Sequence, residues 1–350
     1  MVSAISIAGR LVGPGHPCFV IAEAGVNHNG EIEQACQLIN AAVKAGADAI
    51  KFQTFTAESL ATPNAPKAFY QQQTTGESES QFEMLRRLEL SPRVHRELID
   101  YCHDQKILFM STPFDQGSAD MLERLGVPAF KVSSGEITNV PLLAHLARKR
   151  KPMIISTGMS WLGEVDLAVR TVYDSGNREV ALLHCVSNYP ASLADVNLRA
   201  MQTMAAAFKV PVGFSDHTLG IEAALVAVAL GACIIEKHIT LDRRLPGPDH
   251  GFSLQPDELT TLISSIRKVE LALGSGYKKP AASEGEVASV ARKSIVAAKD
   301  ISEGSRLSSE MLALKRPGTG LPPTMCSTLV GRTAKHDIPA GAMLTFDMIE

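Results

Sequence analysis

The chain has 350 residues, a formal charge of −3 and 45% hydrophobic residues, enough to build one large core and a second small one. So weak a charge gives no global field that would recruit nucleic acid or an anionic membrane, and any anionic ligand has to be met by local lysines and arginines. No apolar run reaches the roughly 18 residues of a membrane span, and the opening MVSAISIAGRLVGPGHP lacks the basic start and apolar stretch of a signal peptide, so the expected location is the cytoplasm.

From Cys18 to about Leu273, short β-rich runs alternate with longer segments of helical period, the pattern of a parallel sheet built from βα units. The strand candidates are CFVIAE (18–23), AIKFQ (49–53), ILFMS (107–111), AFKVS (129–133), MIIST (153–157), VALLHC (180–185), VPVGFS (210–215) and CIIEKH (233–238). Eight strands with intervening helices over roughly 250 residues predict a (β/α)8 TIM barrel, an α/β fold, with a doubly wound open sheet as the lesser alternative. In EIEQACQLINAAVKAGAD the apolar Ile32, Ala35, Cys36, Ile39 and Val43 share one helix face, and Gly46 stands where a C-cap glycine belongs. Residues 54–80, TFTAESLATPNAPKAFYQQQTTGESES, have no clear period and follow a strand's C-terminal end, which predicts a loop covering a substrate. The six cysteines, 18, 36, 102, 185, 233 and 326, form no CxxC pair and read as reduced core thiols.

After the barrel (1–273) a Gly-, Ser- and Lys-rich stretch reads as a linker (274–293), and a small β-rich domain follows (294–350). Its segments AKDISEGSRLSSEML (298–312) and AKHDIPAGAMLTFDMI (334–349) form an imperfect repeat, which predicts a compact unit with a pseudo-twofold axis.

Barrel strands converge their C-terminal ends on one mouth, and here those ends are polar: Glu23, Lys51, Gln53, Lys131, Ser133, Ser134, Ser156, Thr157, His184, Ser187, Tyr189, Ser215, His217, Lys237 and His238. Three inward ammonium groups would be costly in a purely structural barrel. His217 and His238 come from consecutive strands and can place two imidazoles on one exchangeable divalent ion such as Mn²⁺, Fe²⁺, Co²⁺ or Zn²⁺. Asp249 and His250, just past the last strand, could complete that site or bind substrate. Lys51 and Lys131 with Ser134, Ser156 and Ser215 suit a small phosphorylated acid. A Schiff-base lysine is the competing chemistry.

In FVIAEAGVNHNG, GADAIKFQTF, FKVSSGEITNVPLL, ISTGM, HCVSNYP, GFSDHTLG, EKHITLD, GPDHGFSL and KRPGTGLPP the chain resembles the sialic acid synthases, and 294–350 looks like their antifreeze-like SAF domain. The resemblance implies condensation of phosphoenolpyruvate with N-acetylmannosamine and water to N-acetylneuraminate and phosphate, or, as the alternative, with 2,4-diacetamido-2,4,6-trideoxymannose to N,N'-diacetyllegionaminate. It implies a homodimer whose SAF domain caps the partner's barrel. Position by position it makes His217 and His238 ligands of Mn²⁺ or Mg²⁺, and Lys51, Lys131, Ser134, Ser156 and Ser215 contacts of phosphoenolpyruvate. Glu23, Gln53, Tyr189 and Asp249 would hold the amino-sugar, with Glu23 also transferring a proton or positioning water, and Arg316 would reach the sugar from the other subunit. HCVSNYP departs from the HCTNxYP of some members: Ser187 stands at the asparagine position, where it can donate one hydrogen bond. A non-catalytic carbohydrate- or ice-binding protein is the rival from another class; it has no use for two anion-binding lysines and a metal.

Overall fold

The structure, a computed structural model, describes residues 2–76 and 78–350; Glu77, inside the predicted substrate-covering loop, lies outside the described residues. Two compact units divide the chain, Met1–Gly274 and Ser275–Glu350.

In the first unit all eight predicted strands form. A hairpin of β1 (Ile5–Ile7) and β2 (Arg10–Val12) comes first, followed by β3 (Phe19–Gly25), β4 (Ala49–Thr54), β5 (Leu108–Pro113), β6 (Phe130–Val132), β7 (Met153–Ser156), β8 (Val180–Cys185), β9 (Val212–Asp216) and β10 (Ile234–His238). The strands β3 to β10 make one parallel sheet ordered β5-β4-β3-β10-β9-β8-β7-β6. Pairing of β10 with β3 joins the sheet's first and last strands, and β5 and β6 lie side by side at the remaining seam. This is a TIM-type barrel rather than a doubly wound sheet.

The helices are α1 (Ile32–Ala45), α2 (Ala57–Leu60), α3 (Phe69–Thr75), α4 (Gln81–Leu88), α5 (Pro92–Asp104), α6 (Gln116–Leu125), α7 (Val140–Arg148), α8 (Leu162–Asp174), α9 (Ala200–Phe208), α10 (Glu222–Ala229) and α11 (Pro256–Leu273). Gly46 caps α1 at φ 83°, giving its N–H to Ala42 and Val43 carbonyls. The fully buried stripe of α1 is Ala35, Leu38, Ile39, Ala42 and Ala45, with Ile32, Cys36 and Val43 at its margin. The connection after β4 is more ordered than its missing period suggests: it holds α2, α3 and the start of α4, whose capping box pairs Ser80 with the Glu83 backbone N–H (3.2 Å) and Glu83 with the Ser80 N–H (2.8 Å).

Period-two alternation sorts the strands' side chains. Outward residues such as Val20, Ile50, Phe52, Phe109, Phe130, Leu182, Phe214 and Ile235 are buried against the helices. Inward residues Phe19, Ile21, Ala49, Met110, Ala129, Ile154, Ala181, Leu183 and Ile234 fill the lower lumen, plugged from below by Ile5, Ile7 and Val12 of the hairpin. Gly213 belongs to this layer, where a Cβ would lie 2.3 Å from the Ile234 carbonyl and 2.8 Å from Leu183. At ~1.5–3 kcal/mol per buried aliphatic side chain, this dry floor holds the strand ends above it in place.

The second unit holds α12 (Gly285–Ala291), β11 (Ser294–Ala297), β12 (Leu312–Lys315) and α13 (Cys326–Leu329) around a core of Ile295, Ile301, Leu307, Leu329, Ile338, Leu344 and Ile349. Thus the stretch read as linker carries a short helix. The sequence repeat is a structural one: Ile301 and Ile338 exchange backbone hydrogen bonds (2.9 and 2.8 Å). Asp300 and Asp337 each accept from a backbone N–H of the other copy, at Ala340 (2.7 Å) and Glu303 (2.8 Å).

Candidate active site

Two residues beyond each apolar floor position, the same strand turns a polar or thiol group into the lumen. Ile21 is followed by Glu23, Ala49 by Lys51, Met110 by Thr112, Ala129 by Lys131, Ile154 by Ser156, Leu183 by Cys185, Gly213 by Ser215 and Ile234 by Glu236. All eight upper residues line one cavity of about 60 Å³, together with Gln53, Phe114, Ser133, Ser134, Tyr189, His217 and His238. Hence Glu23, Lys51, Gln53, Lys131, Ser134, Ser156, Tyr189, Ser215, His217 and His238, predicted from separate segments, share one chamber.

At its centre is a residue the sequence reading left out. Glu236 lies between the two lysines, with Lys51 Nζ 3.6 Å from its Oε2 and Lys131 Nζ 3.5 Å from its Oε1, and Ser215 Oγ donates to Oε1 at 2.8 Å. Lys51 also meets Glu23 (2.6 Å) and donates to Thr112 Oγ1 (3.0 Å); Lys131 donates to Ser156 Oγ (2.7 Å) and to the Val132 carbonyl (3.1 Å). All four charged groups are at least 95% shielded from solvent. Burial pushes the pKa of Glu236 up, but Lys131 and Lys51 outweigh it and hold this carboxyl down at about 2. For Glu23 burial wins over the attraction of Lys51, and Glu236 adds repulsion, so its carboxyl is pushed up to about 7. Burial lowers the Lys131 ammonium despite Glu236, whereas Lys51, held by both Glu23 and Glu236, is raised. Two lysines thus face one fully ionised carboxylate and one that exchanges its proton near neutrality, leaving room for added negative charge.

Beside Lys131 the hydroxyls are arranged around a glycine. Ser134 Oγ accepts from the Gly158 N–H (3.0 Å), while Ser133 Oγ and Ser187 Oγ are buried with no hydrogen-bond partner. A Cβ on Gly158 would stand 2.2 Å from Ser187 Oγ and 2.8 Å from Ser134 Oγ. Unsatisfied buried hydroxyls beside an ammonium group make a cradle for anion oxygens. Ser187 is one of them.

His217 and His238 end β9 and β10 with ring centroids 5.5 Å apart. His217 donates from Nδ1 to the Val186 carbonyl (2.9 Å), which leaves Nε2 as its nitrogen for a ligand; burial opposes the charged ring, but Cys185 and that carbonyl outweigh burial and raise its pKa. His238 Nδ1 is buried with no partner, and burial, then the charge of His217 and the lysines, keep its ring neutral. The partnerless nitrogen of His238, and Nε2 of His217 once that ring gives up its proton, fit a divalent cation, although among the described residues no set of three or more His, Cys, Asp or Glu side chains is grouped around one point. Tyr189 packs 4.2 Å from His217, and Tyr70 of α3 and Phe252 pack on Tyr189 at 4.9 and 5.0 Å. Asp249, buried beside these rings, is pushed up to about 6 by burial, with His217 opposing. Gln53 Nε2 reaches Glu23 Oε1 at 3.5 Å.

Three predicted strand-end residues do not face the lumen. His184 points to the helix layer, bonded to the Val196 carbonyl (2.6 Å) and stacked on Phe214, because period two places it opposite Cys185. Thr157 donates to the Leu183 carbonyl (3.0 Å), and Lys237 pairs outside the lumen with Asp216 (2.8 Å). His250 is taken up by Thr240 Oγ1 (2.6 Å) and Asn29 Oδ1 (3.2 Å). Arg316 lies in the second unit directly after β12, its Nε donating to the Ala291 carbonyl (3.0 Å).

Comparison with known proteins places this chamber in a family. The chain is 50% identical to the N,N'-diacetyllegionaminic acid synthase of Legionella pneumophila subsp. pneumophila over 95% of both chains. It is 47% identical to the N,N'-diacetyllegionaminic acid synthase of Campylobacter jejuni subsp. jejuni serotype O:2, over 90% of this chain and 95% of the other. The crystal structure of N-acetylneuraminic acid (sialic acid) synthetase from Leptospira borgpetersenii serovar Hardjo-bovis superposes with a TM-score of 0.73 at 36% identity, covering 82% of this chain and 95% of that one. Residues 292–350 match the SAF domain, and since residues 38–278 match the NeuB family model, the chain belongs to the NeuB family.

Proposed function

We propose that this protein is a nonulosonic acid synthase, which joins phosphoenolpyruvate, an N-acetylated mannosamine-type aldehyde and water into a nine-carbon 2-keto acid and releases phosphate. The observation that carries this reading is the Lys51–Glu236–Lys131 bridge beside the histidine pair. It is a site for an anion at which charge develops during reaction. Lys51, Lys131, Ser134, Ser156 and Ser187 bind the phosphate and carboxylate groups and hold the enol carbon toward the sugar aldehyde. Ser215 serves indirectly, because its hydroxyl is committed to Glu236 (2.8 Å) and so orients that carboxylate between the lysines.

Glu23, whose proton is exchangeable near neutral pH, gives a proton to the aldehyde oxygen or takes one from the water that adds to the phosphate-bearing carbon. Phosphate then leaves from the tetrahedral intermediate while the two ammonium groups hold its charge. His217 and His238 would hold the divalent ion, Mn²⁺ or Mg²⁺, which supplies Lewis acidity at the aldehyde oxygen. Gln53, Tyr189 and Asp249 hold the sugar. A homodimer in which Arg316 reaches the partner's barrel completes the proposal, and a phosphoenolpyruvate-consuming enzyme of this kind works in the cytoplasm.

Of the two acceptors, 2,4-diacetamido-2,4,6-trideoxymannose is favoured over N-acetylmannosamine by the identity of 50% and 47% to enzymes named for the diacetylated product. The test is phosphate release from phosphoenolpyruvate with each sugar in parallel, with Mn²⁺ or with EDTA. Metal-dependent release, with higher kcat/KM for the diacetamido sugar, is expected. Release with neither sugar in metal-loaded dimeric protein refutes the synthase reading, and a preference for N-acetylmannosamine reverses the acceptor.

A further inference from the structure

Lys237 stands on the wrong side of its strand for a ligand of the lumen. On β10, Ile234, Glu236 and His238 face inward and Ile235 and Lys237 outward, where the neighbouring strands present Ala22, Ala24 and Phe214 to the helices. An ammonium group in that layer, 1% exposed, costs several kcal/mol in desolvation. Well-packed apolar side chains often replace such a buried pair without loss of stability. Stability alone therefore gives no reason for a lysine here.

Its bonds give one. Lys237 Nζ donates to Asp216 Oδ2 (2.8 Å) and to the Thr218 carbonyl (2.5 Å). Asp216 Oδ1 accepts from both the backbone N–H and the hydroxyl of Thr218, each at 2.8 Å. Asp216 and Thr218 flank His217, and Lys237 precedes His238. Lys237 and Asp216 are also the last partners in the β9–β10 ladder. The side-chain pair takes over where the backbone ladder stops, and it ties together the two chain segments that carry the imidazoles. On its other side His217 is fixed by Val186, which accepts from Nδ1, and by the Ala191 N–H donated to its carbonyl (2.9 Å).

From this geometry we infer that Lys237 and Asp216 are positioning residues that set the separation of the His217 and His238 side chains for a divalent cation. The inference rests on the reading of those two histidines as ligands. Supporting groups one step removed from a metal's ligands are worth 10–100-fold in affinity, and a clamp acting through the backbone belongs at the lower end of that range.

The experiment is titration of the full-length protein with Mn²⁺ alone, read as free Mn²⁺ by electron paramagnetic resonance, alongside phosphoenolpyruvate binding by calorimetry in EDTA. Two variants are compared with the parent and with His217→Ala. Lys237→Met removes the ammonium, and the double variant Asp216→Asn with Lys237→Met also removes the orphaned charge, while the amide oxygen introduced by Asp216→Asn can still accept from Thr218. About tenfold weaker Mn²⁺ binding in both variants, with phosphoenolpyruvate affinity within twofold of the parent, is expected. Mn²⁺ affinity within twofold of the parent overturns the inference and leaves the ligand reading intact. A parent that binds no Mn²⁺, or binds it as well after His217→Ala, overturns both. A double variant that no longer folds also overturns the clamp, because the pair would then hold the barrel rather than the spacing of two side chains.

Discussion

The floor and the mouth of the barrel are built from the same eight strands, two residues apart, and differ only in side chains. Below, Ile21, Met110, Ile154, Leu183 and Ile234 fill the lumen against the N-terminal hairpin; above, Glu23, Thr112, Ser156, Cys185 and Glu236 surround a small polar cavity with Lys51 and Lys131. In the floor each side chain answers for volume, and a neighbour can partly relax into a loss. In the mouth each answers for a charge or a lone pair, and a loss leaves a partner stranded. The two layers should therefore fail differently: the mouth in catalysis, the floor in stability.

Lys131→Met is the sharpest test of the mouth. It removes the ammonium that holds Ser156 and one side of Glu236, while Lys51 still faces that carboxylate. Loss of one preorganised charge of this kind costs about 10³-fold in kcat/KM, with phosphoenolpyruvate affinity falling in parallel by calorimetry. A kcat/KM within tenfold of the parent would show that the two lysines are not equivalent partners of the anion and that Lys51 alone carries it. The floor counterpart is Ile154→Ala, one strand over and fully buried. Urea unfolding should report ~2–4 kcal/mol less stability, while kcat of the folded enzyme stays within about threefold. A large fall in kcat without loss of stability would erase the distinction between the layers.

A third group of buried polar residues, behind the mouth, separates charge from catalysis. His28 is fully buried, accepts the Gly30 N–H at Nδ1 (3.0 Å) and has no partner at Nε2. Burial, then the neighbouring His95 and His250, lower its ring from 6.5 to about 4, and burial lowers His250 equally against Asp242. Between those values the unfolded chain binds more protons than the folded one, so stability is full above pH 6.5 and declines as pH falls toward 4. Going from pH 7 to pH 5, His28 alone should remove ~2 kcal/mol. Urea midpoints across that range check it: His28→Asn should flatten the dependence, and an unchanged slope would assign the acid sensitivity elsewhere.

Much of this was legible in the chain, for reasons that differ by residue. The eight strands were found because each is a compact β-rich run between helical periods, and the lysines and histidines because strand ends converge in a barrel. Glu236 escaped although CIIEKH contains the signal: period two puts Ile234, Glu236 and His238 on one face, so a lumenal His238 requires a lumenal Glu236. The same rule, applied to VALLHC, would have turned His184 outward once Cys185 was inward. The N-terminal hairpin has strands of three residues, too short for any period to register. In residues 54–80 the helices α2 and α3 have four and seven residues, below the length at which a helical stripe can be read.

Gly158 was illegible for another reason, and it gives the smallest and most local test. Its need is a distance to Ser187, a residue far along the chain, and no pattern around ISTGM encodes it. A methyl at this position would stand 2.2 Å from Ser187 Oγ and 2.8 Å from Ser134 Oγ. Both atoms are ends of short side chains that can rotate, so Gly158→Ala should fold with nearly parental stability. The hydroxyls would instead be turned out of the cradle. The effect should fall on the anion: KM for phosphoenolpyruvate about tenfold higher, equivalent to ~1.4 kcal/mol, with kcat changed by less than about threefold. A KM within twofold of the parent would mean that Ser187 and Ser134 do not meet the anion and that Lys51 and Lys131 bind it alone. A fall in kcat with KM unchanged would move the serines' contribution from binding phosphoenolpyruvate to stabilising the charge that develops as phosphate leaves.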